Sequence, residues 1–231
     1  MSTPEINSPL VTLLLLLIAA PLLGQTVAPA TQDQMDQLIN VLQSADASQN
    51  EKAAACRQLA IMGTKEVVPA LAALLGDEKL SHMARYGLEP IPDPAVDESL
   101  RQALGRLKGR PLVGVIGSLG ARRDAQAVPA LAKMLQDSDA DVVQGAARAL
   151  GKIGTSDAAK ALQQALAKAP AKGRPAIADA CLGCAEALLV AGKHREAAAL
   201  YDSVGKAELP THFRVAAAHG ALRARQSTAS P

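Results

Sequence analysis

A chain of 231 residues with 24 basic and 22 acidic side chains has a net charge of only +2, which excludes the general attraction to nucleic acid that a strongly basic protein has. Hydrophobic residues make up 49% of it, yet two Tyr, one Phe and no Trp leave almost no flat rings to stack on bases or sugars. The apolar content is mostly Ala and Leu, strong helix formers, with few β-branched runs of strand length, so an all-α fold of closely spaced helices is predicted.

From the N-terminus, Leu10 to Leu23 is nearly all apolar and contains an unbroken run, Leu13 to Leu17. Roughly 14 residues fall short of the ~20 of a membrane span but match the apolar core of a secretory signal. Ala28-Pro29-Ala30 offers small residues for a cut after Ala30, with Gly24 a second candidate. Residues 1–30 are therefore read as a signal peptide, with the protein exported to the periplasm or cell envelope. The start carries Glu5 and no Lys or Arg, so retention as an anchor is the alternative. No membrane span is expected once the signal is removed.

The next feature is self-similarity. Cys56 and Leu59 mark one helix, Gly63-Thr64 a turn, and Val68-Pro69-Ala70-Leu71 the start of a second helix. The last motif returns sixty residues later as Val128-Pro129-Ala130-Leu131. Leucine pairs four apart, on one helical face, recur as Leu71/Leu75, Leu100/Leu104, Leu131/Leu135 and Leu162/Leu166, at spacings of 29, 31 and 31. The helices covering them are expected to precede them, at Cys56/Leu59, Val113/Ile116/Leu119 and Val142/Ala146/Leu150. Turns are expected at Gly120-Ala121 and Gly151 to Thr155, where glycine tolerates a left-handed helix end. Asp124 and Ser156 or Thr155 then supply start caps. Between the first two leucine pairs, Pro90, Pro92 and Pro94 replace the glycine turn and stop the preceding helix. No hairpin of this kind buries its own leucines, so neighbours must stack.

Asp141-Val142-Val143-Gln144-Gly145-Ala146-Ala147-Arg148-Ala149-Leu150-Gly151-Lys152-Ile153-Gly154 resembles a HEAT repeat of the short subclass seen in phycobilisome-lyase-like proteins, as does Asp124 to Leu131. The resemblance covers roughly residues 49–169, and the irregular stretch from His82 to Pro94 resembles exported bacterial HEAT-repeat proteins. It implies a right-handed α-solenoid (α-α superhelix) of HEAT-like helix hairpins over 31–169. The matching residues are packing and capping residues, so no lyase chemistry is implied. Beyond Pro170, the series Cys181, Cys184, Ala185, Leu188, Gly192, Ala197 and Tyr201 resembles a tetratricopeptide repeat, with Cys181 where that family has Trp. This defines a TPR-like unit over 170–225, followed by a disordered tail over 226–231.

Chemistry-bearing residues are sparse. Cys181 and Cys184, three apart in a helical pattern, are poorly placed for a disulfide. Ala185 stands where a haem-attachment motif needs His, and no second cysteine pair is present for zinc, so all three cysteines are read as core. His212 and His219 share a face but stand about 10 Å apart along it. No catalytic, cofactor or metal residue is assigned and no cofactor is expected. Six basic residues and no acid fall between Arg101 and Arg123, giving a candidate partner-docking edge. Within and beside it Arg85, Tyr86, Arg110, Arg122 and Arg123 are the candidate partner-binding residues. Tyr86, a lone aromatic beside Arg85 in the irregular unit, has the character of a binding anchor. The expected function is a non-catalytic exported scaffold that binds a protein partner along the helices starting near Lys65, Asp97, Asp124 and Ser156. The alternatives are an enzyme or enzyme subunit with a site formed across repeats, and nucleic-acid or anion binding through the basic edge. Nucleic acid is not the expected partner.

Overall fold

The computed structural model describes residues 32–229. The expected signal peptide, residues 1–30, lies outside the described residues. Twelve helices follow one another: α1 (Gln32–Gln43), α2 (Gln49–Met62), α3 (Val68–Ala73), α4 (Ser81–Leu88), α5 (Pro94–Leu104), α6 (Gly109–Ala121), α7 (Val128–Met134), α8 (Ala140–Ile153), α9 (Ser156–Lys168), α10 (Arg174–Val190), α11 (His194–Lys206) and α12 (Thr211–Ala229). No strand occurs among the described residues.

The helices form two rows. Even-numbered helices pack each on the next, from α2 to α12, and odd-numbered helices do the same except between α5 and α7, where the row is loosest. No helix packs substantially on one more than two positions away in the chain. Neighbour-only packing of this kind makes the molecule an α-solenoid, stabilised repeat by repeat. All eight recurring leucines are buried, from Leu71 at 0% exposure to Leu135 at 9%. Each contributes about 1.5–3 kcal/mol by leaving water.

The pairing within the stack differs from the expected one. Helices α3, α5 and α7 pack most closely on the helix that follows each of them, not on the one before. The connections explain this. Single 3-10 turns at Lys65–Val67 and Ala125–Ala127 carry the chain from the even row to the odd row, and the proline segment does so before α5. They take up the length that would otherwise lie beside α2, α4 and α6.

Capping follows the sequence closely. Asp124 accepts from the Gln126 amide and Thr155 from the Ala158 amide. Ser48 and Glu51 form a reciprocal capping box at the start of α2. Pro69 and Pro129 sit in the first turns of α3 and α7, where a missing N–H costs nothing.

Two of the expected turn glycines lie inside helices. Gly120 belongs to α6 and Gly151 to α8. A Cβ on Gly120 would stand 2.7 Å from the Ala149 Cα, and one on Gly151 would stand 2.8 Å from the Ala180 carbonyl oxygen. These residues are small because successive even-row backbones touch there. The left-handed residue that ends α8 is Gly154, at φ 66°. At the C-terminus the tail expected to fray from Gln226 stays helical to Ala229, and the Ser227 hydroxyl donates to the Arg223 carbonyl. No Gly or Pro interrupts the chain between Ala221 and Ala229.

Cys56, Cys181 and Cys184 are free and buried. Burial pushes the Cys56 thiol up to about 11 and those of Cys181 and Cys184 up to about 12, from an ordinary 9.0. Removal from water disfavours the charged thiolate. Maleimide labelling of folded protein at pH 7.5 is expected to be at least ~100-fold slower than after unfolding, because the thiolate is the reactive form. The folded thiols keep their protons where unfolded ones lose them, so ionisation favours unfolding as pH rises above 9.0. Labelling at equal rates in both states would contradict the buried placement.

Candidate functional site

The irregular unit between α4 and α5 is organised by one side chain. Arg122, just past the end of α6, turns inward with its side chain 12% exposed. Its Nη1 donates to the carbonyls of Glu89 and Ile91, both at 2.8 Å. Its Nη2 donates to the Asp93 carbonyl at 3.3 Å and to Asp97 Oδ2 at 3.0 Å, while Nε donates to Asp97 Oδ1. All five guanidinium N–H groups are therefore used. The proline segment has few amides for hydrogen bonding, and Arg122 gives the Glu89 carbonyl its donor and adds a second to those of Ile91 and Asp93, which also accept from the Asp93 and Val96 amides. A second ion pair, Arg101 Nη1 to Asp124 Oδ2 at 2.6 Å, ties α5 to the turn after α6. Together they bridge the loosest point of the odd row.

Residues Ile91 and Leu88 face inward and are buried, while Tyr86, Pro90 and Pro92 face outward. Beside them stands Ile61, near the end of α2. Ile61 is 83% exposed and Tyr86 56%, unusual values for large apolar side chains. With Glu89 and Arg122 they line an open groove of about 650 Å³. Glu89 accepts from the Ser118 hydroxyl at 2.6 Å and Arg122 is saturated, so this groove presents mainly apolar surface.

The five candidate binding residues are thus separated. Tyr86 and Arg122 line one groove, Tyr86 as surface and Arg122 as the support beneath it. Arg123 lines the next groove along the same row. Arg85 lies half-buried against α6, where its guanidinium covers Gly114, with Nε buried and unpartnered. Burial lowers its pKa, and Glu89 opposes the shift. Arg110 stands near the N-terminus of α6, the opposite end from Arg122 and about 18 Å away along the helix. The basic stretch from Arg101 to Arg123 is therefore no single edge. Arg101 and Arg122 are consumed in internal ion pairs, and the remainder is divided between the two ends of α6.

The neighbouring groove, of about 430 Å³, runs between α6, α8 and α10. Arg123, Arg148 and Lys152 line it, with Asp179, Glu186 and Val190 opposite. Val190 is 92% exposed. The sequence reading did not single out Arg148, Lys152 or Ile61. Ile61 lies on α2 and the other two on α8, in well-separated repeats, and only the i to i+4 spacing of Arg148 and Lys152 was visible as a signal. A larger groove, about 800 Å³, opens between the α7–α8 and α9–α10 loops. Its charges are mixed, with Lys133, Lys168 and Lys172 facing Asp137 and Asp141, so it shows no clear charge preference. Among the described residues no group of three His, Cys, Asp or Glu could hold a metal ion, and no helix is long and apolar enough to cross a membrane.

The neighbour-on-neighbour stack defines the chain as an α-solenoid. Residues 92–181 match the family described as HEAT repeats, a span that includes the proline segment's end, α5 to α9 and the first half of α10. A search of the curated proteins found no significant match. Among solved structures, an engineered protein is similar at 19% identity and a TM-score of 0.48, over 85% of this chain and 98% of its own. The complex of CpcE and CpcF of phycocyanin lyase from Nostoc is similar at 19% identity and a TM-score of 0.42, over 85% and 82%. A designed armadillo repeat protein in complex with a (KR)4 peptide is similar at 19% identity and a TM-score of 0.48, over 83% and 99%.

Proposed function

We propose that this chain is an exported, non-catalytic scaffold that holds a protein partner along the ends of its even-row helices. The observation that carries this reading is the outward cluster of Ile61, Tyr86, Pro90 and Pro92 on a support fixed by Arg122. Large apolar side chains left in water on a rigid frame are what a binding hot spot requires, because little ordering cost remains at contact. The sequence suggested the odd row as the binding side, but the exposed apolar residues gather on the even row. Export is supported by the leucine-rich segment and the small residues before Ala30. The α10–α12 region is read as tetratricopeptide-like, on the burial of Ala185, Leu188, Ala197 and Tyr201 at that repeat's spacing.

A photo-crosslinking residue placed in turn at Ile61, Tyr86 and the exposed Gln37 tests the reading in intact cells. The same discrete protein adduct is expected from the first two positions and none from Gln37. Absence of any adduct from Ile61 and Tyr86 would overturn it. Recovery of the chain in the cytoplasmic fraction alone would overturn export.

A further inference from the structure

The turn that ends α6 is closed in the same way as the turn that ends α10. In α10 the Lys193 amide bonds to the Leu188 carbonyl and the Gly192 amide to the Leu189 carbonyl, with Gly192 left-handed at φ 73°. In α6 the Asp124 amide bonds to the Leu119 carbonyl and the Arg123 amide to the Gly120 carbonyl. The left-handed residue there is Arg123, at φ 53°, the one non-glycine with positive φ among the described residues. Both turns have the Schellman pattern, which favours glycine at this position. An arginine there carries backbone strain that glycine would not. It also presents a cation at the mouth of the groove between α6, α8 and α10.

The charges in that groove do not cancel. Arg123, Arg148 and Lys152 have no ion-pair partner among the described residues. Of the two acids present, Glu186 is engaged by Arg223 and by the Tyr201 hydroxyl. Only Asp179 opposes the three cations. The apolar groove at Tyr86 meets this basic one at consecutive residues, since Arg122 lines the first and Arg123 the second. Along the even row the surface is therefore apolar at α2 and α4, basic at α6 and α8, and apolar again at Val190 of α10.

From this order we infer that the partner is an extended acidic protein segment with bulky apolar residues on both sides of its carboxylates. The inference rests on the scaffold reading above and specifies the partner for the same surface. Its dimensions follow from helix spacing. Successive packed helices lie about 9 Å apart, so Tyr86 to the Arg148–Lys152 pair is about 18 Å, or roughly six residues of extended chain. Val190 lies about three residues further. A segment of about ten residues spans the surface, with its carboxylates over the central cations.

The probe is a dye-labelled twelve-residue peptide with leucine near each end and three glutamates between. Its partners are the same peptide with lysines in place of the glutamates and a twelve-nucleotide single-stranded DNA. Binding to the full chain is followed by fluorescence anisotropy at about 0.1 M salt, where charges beyond ~10 Å are screened. The acidic peptide is expected to bind at least tenfold more tightly than the lysine peptide. Arg148→Glu and Arg123→Gly are each expected to weaken it three- to tenfold. Arg123→Gly relieves the left-handed strain, so it is expected to hold or raise the melting temperature while lowering affinity, which separates a binding loss from a folding loss. Equal binding of the two peptides, or unchanged affinity in both variants, overturns the acidic-segment proposal. Tighter binding of the DNA than of the acidic peptide also overturns it. If charge makes no difference but Tyr86→Ala abolishes binding, the scaffold reading survives and the acidic partner does not. If neither peptide binds, both fall.

Discussion

Replacing Arg122 by Ala is expected to destabilise the folded chain by about 2–4 kcal/mol, somewhat below the ~3–5 kcal/mol cost of removing one partner from a fully buried ion pair, because both side chains keep some contact with water. The side chain is 12% exposed and Asp97 24% exposed. Removal would leave Asp97 without its counter-ion and the Glu89 carbonyl without a donor in a partly closed space, while the Ile91 and Asp93 carbonyls would keep only the amides of Asp93 and Val96. The unpaired Asp97 carboxylate and the Glu89 carbonyl carry much of that cost. For a domain of this size, each kcal/mol lowers the melting temperature by about 2–4 °C, so a fall of roughly 4–16 °C is expected by circular dichroism. Arg122→Lys keeps the charge but supplies three donors in place of five, and is expected to recover less than half of the loss. Arg123→Ala, one residue away on the exposed side of the turn, is expected to change stability by less than about 1 kcal/mol. Similar melting temperatures for the Arg122→Ala and Arg123→Ala variants would refute the clamp. Peptide binding at the Tyr86 groove should fall with Arg122→Ala even below the melting transition, because the proline segment loses its support.

Gly120→Val is expected to cost about 3 kcal/mol, the upper part of the range for overpacking. The first added carbon would stand 2.7 Å from the Ala149 Cα and 2.9 Å from the Ala149 Cβ. Neither neighbour can rotate away, since one is backbone and the other is fixed to it. Relief requires α6 and α8 to separate, which loosens the even row for its whole height. Gly117 provides the control on the same helix. Nothing lies within 4 Å of a Cβ built there, so Gly117→Ala is expected to be stabilising by up to about 1 kcal/mol, the helix preference of alanine over glycine. Opposite signs in urea titrations of the two variants are the expected result. A loss at both positions would mean that helix-interior glycine serves some role other than close approach.

The leucine spacing made the solenoid legible because helical periodicity and repeat length are one-dimensional properties of the chain. The caps at Asp124 and Thr155 were legible for the same reason, since a cap acts on an amide two or three residues away. Gly120 and Gly151 were assigned to turns because a glycine near a helix end has two uses, and composition does not distinguish a left-handed turn from close backbone approach. The basic stretch from Arg101 to Arg123 read as one surface because linear proximity stood in for spatial proximity. A thirteen-residue helix, Gly109–Ala121, lies inside that stretch and sends its two ends to different parts of the molecule.

Composition and repeat spacing by themselves determined that the chain is helical, that its leucines must be shared between neighbouring helices, and the caps at Asp124 and Thr155 that open the turn into α7 and the helix α9. Tertiary structure alone decided which row each helix joins, that Arg122 faces inward while Arg123 faces outward, and that Ile61, Tyr86, Arg148 and Lys152 lie along one edge. The division has a physical origin. Helix formation and capping act over four residues or fewer, whereas the direction of a side chain past a helix end depends on the turn that follows and on the neighbour against which that turn packs.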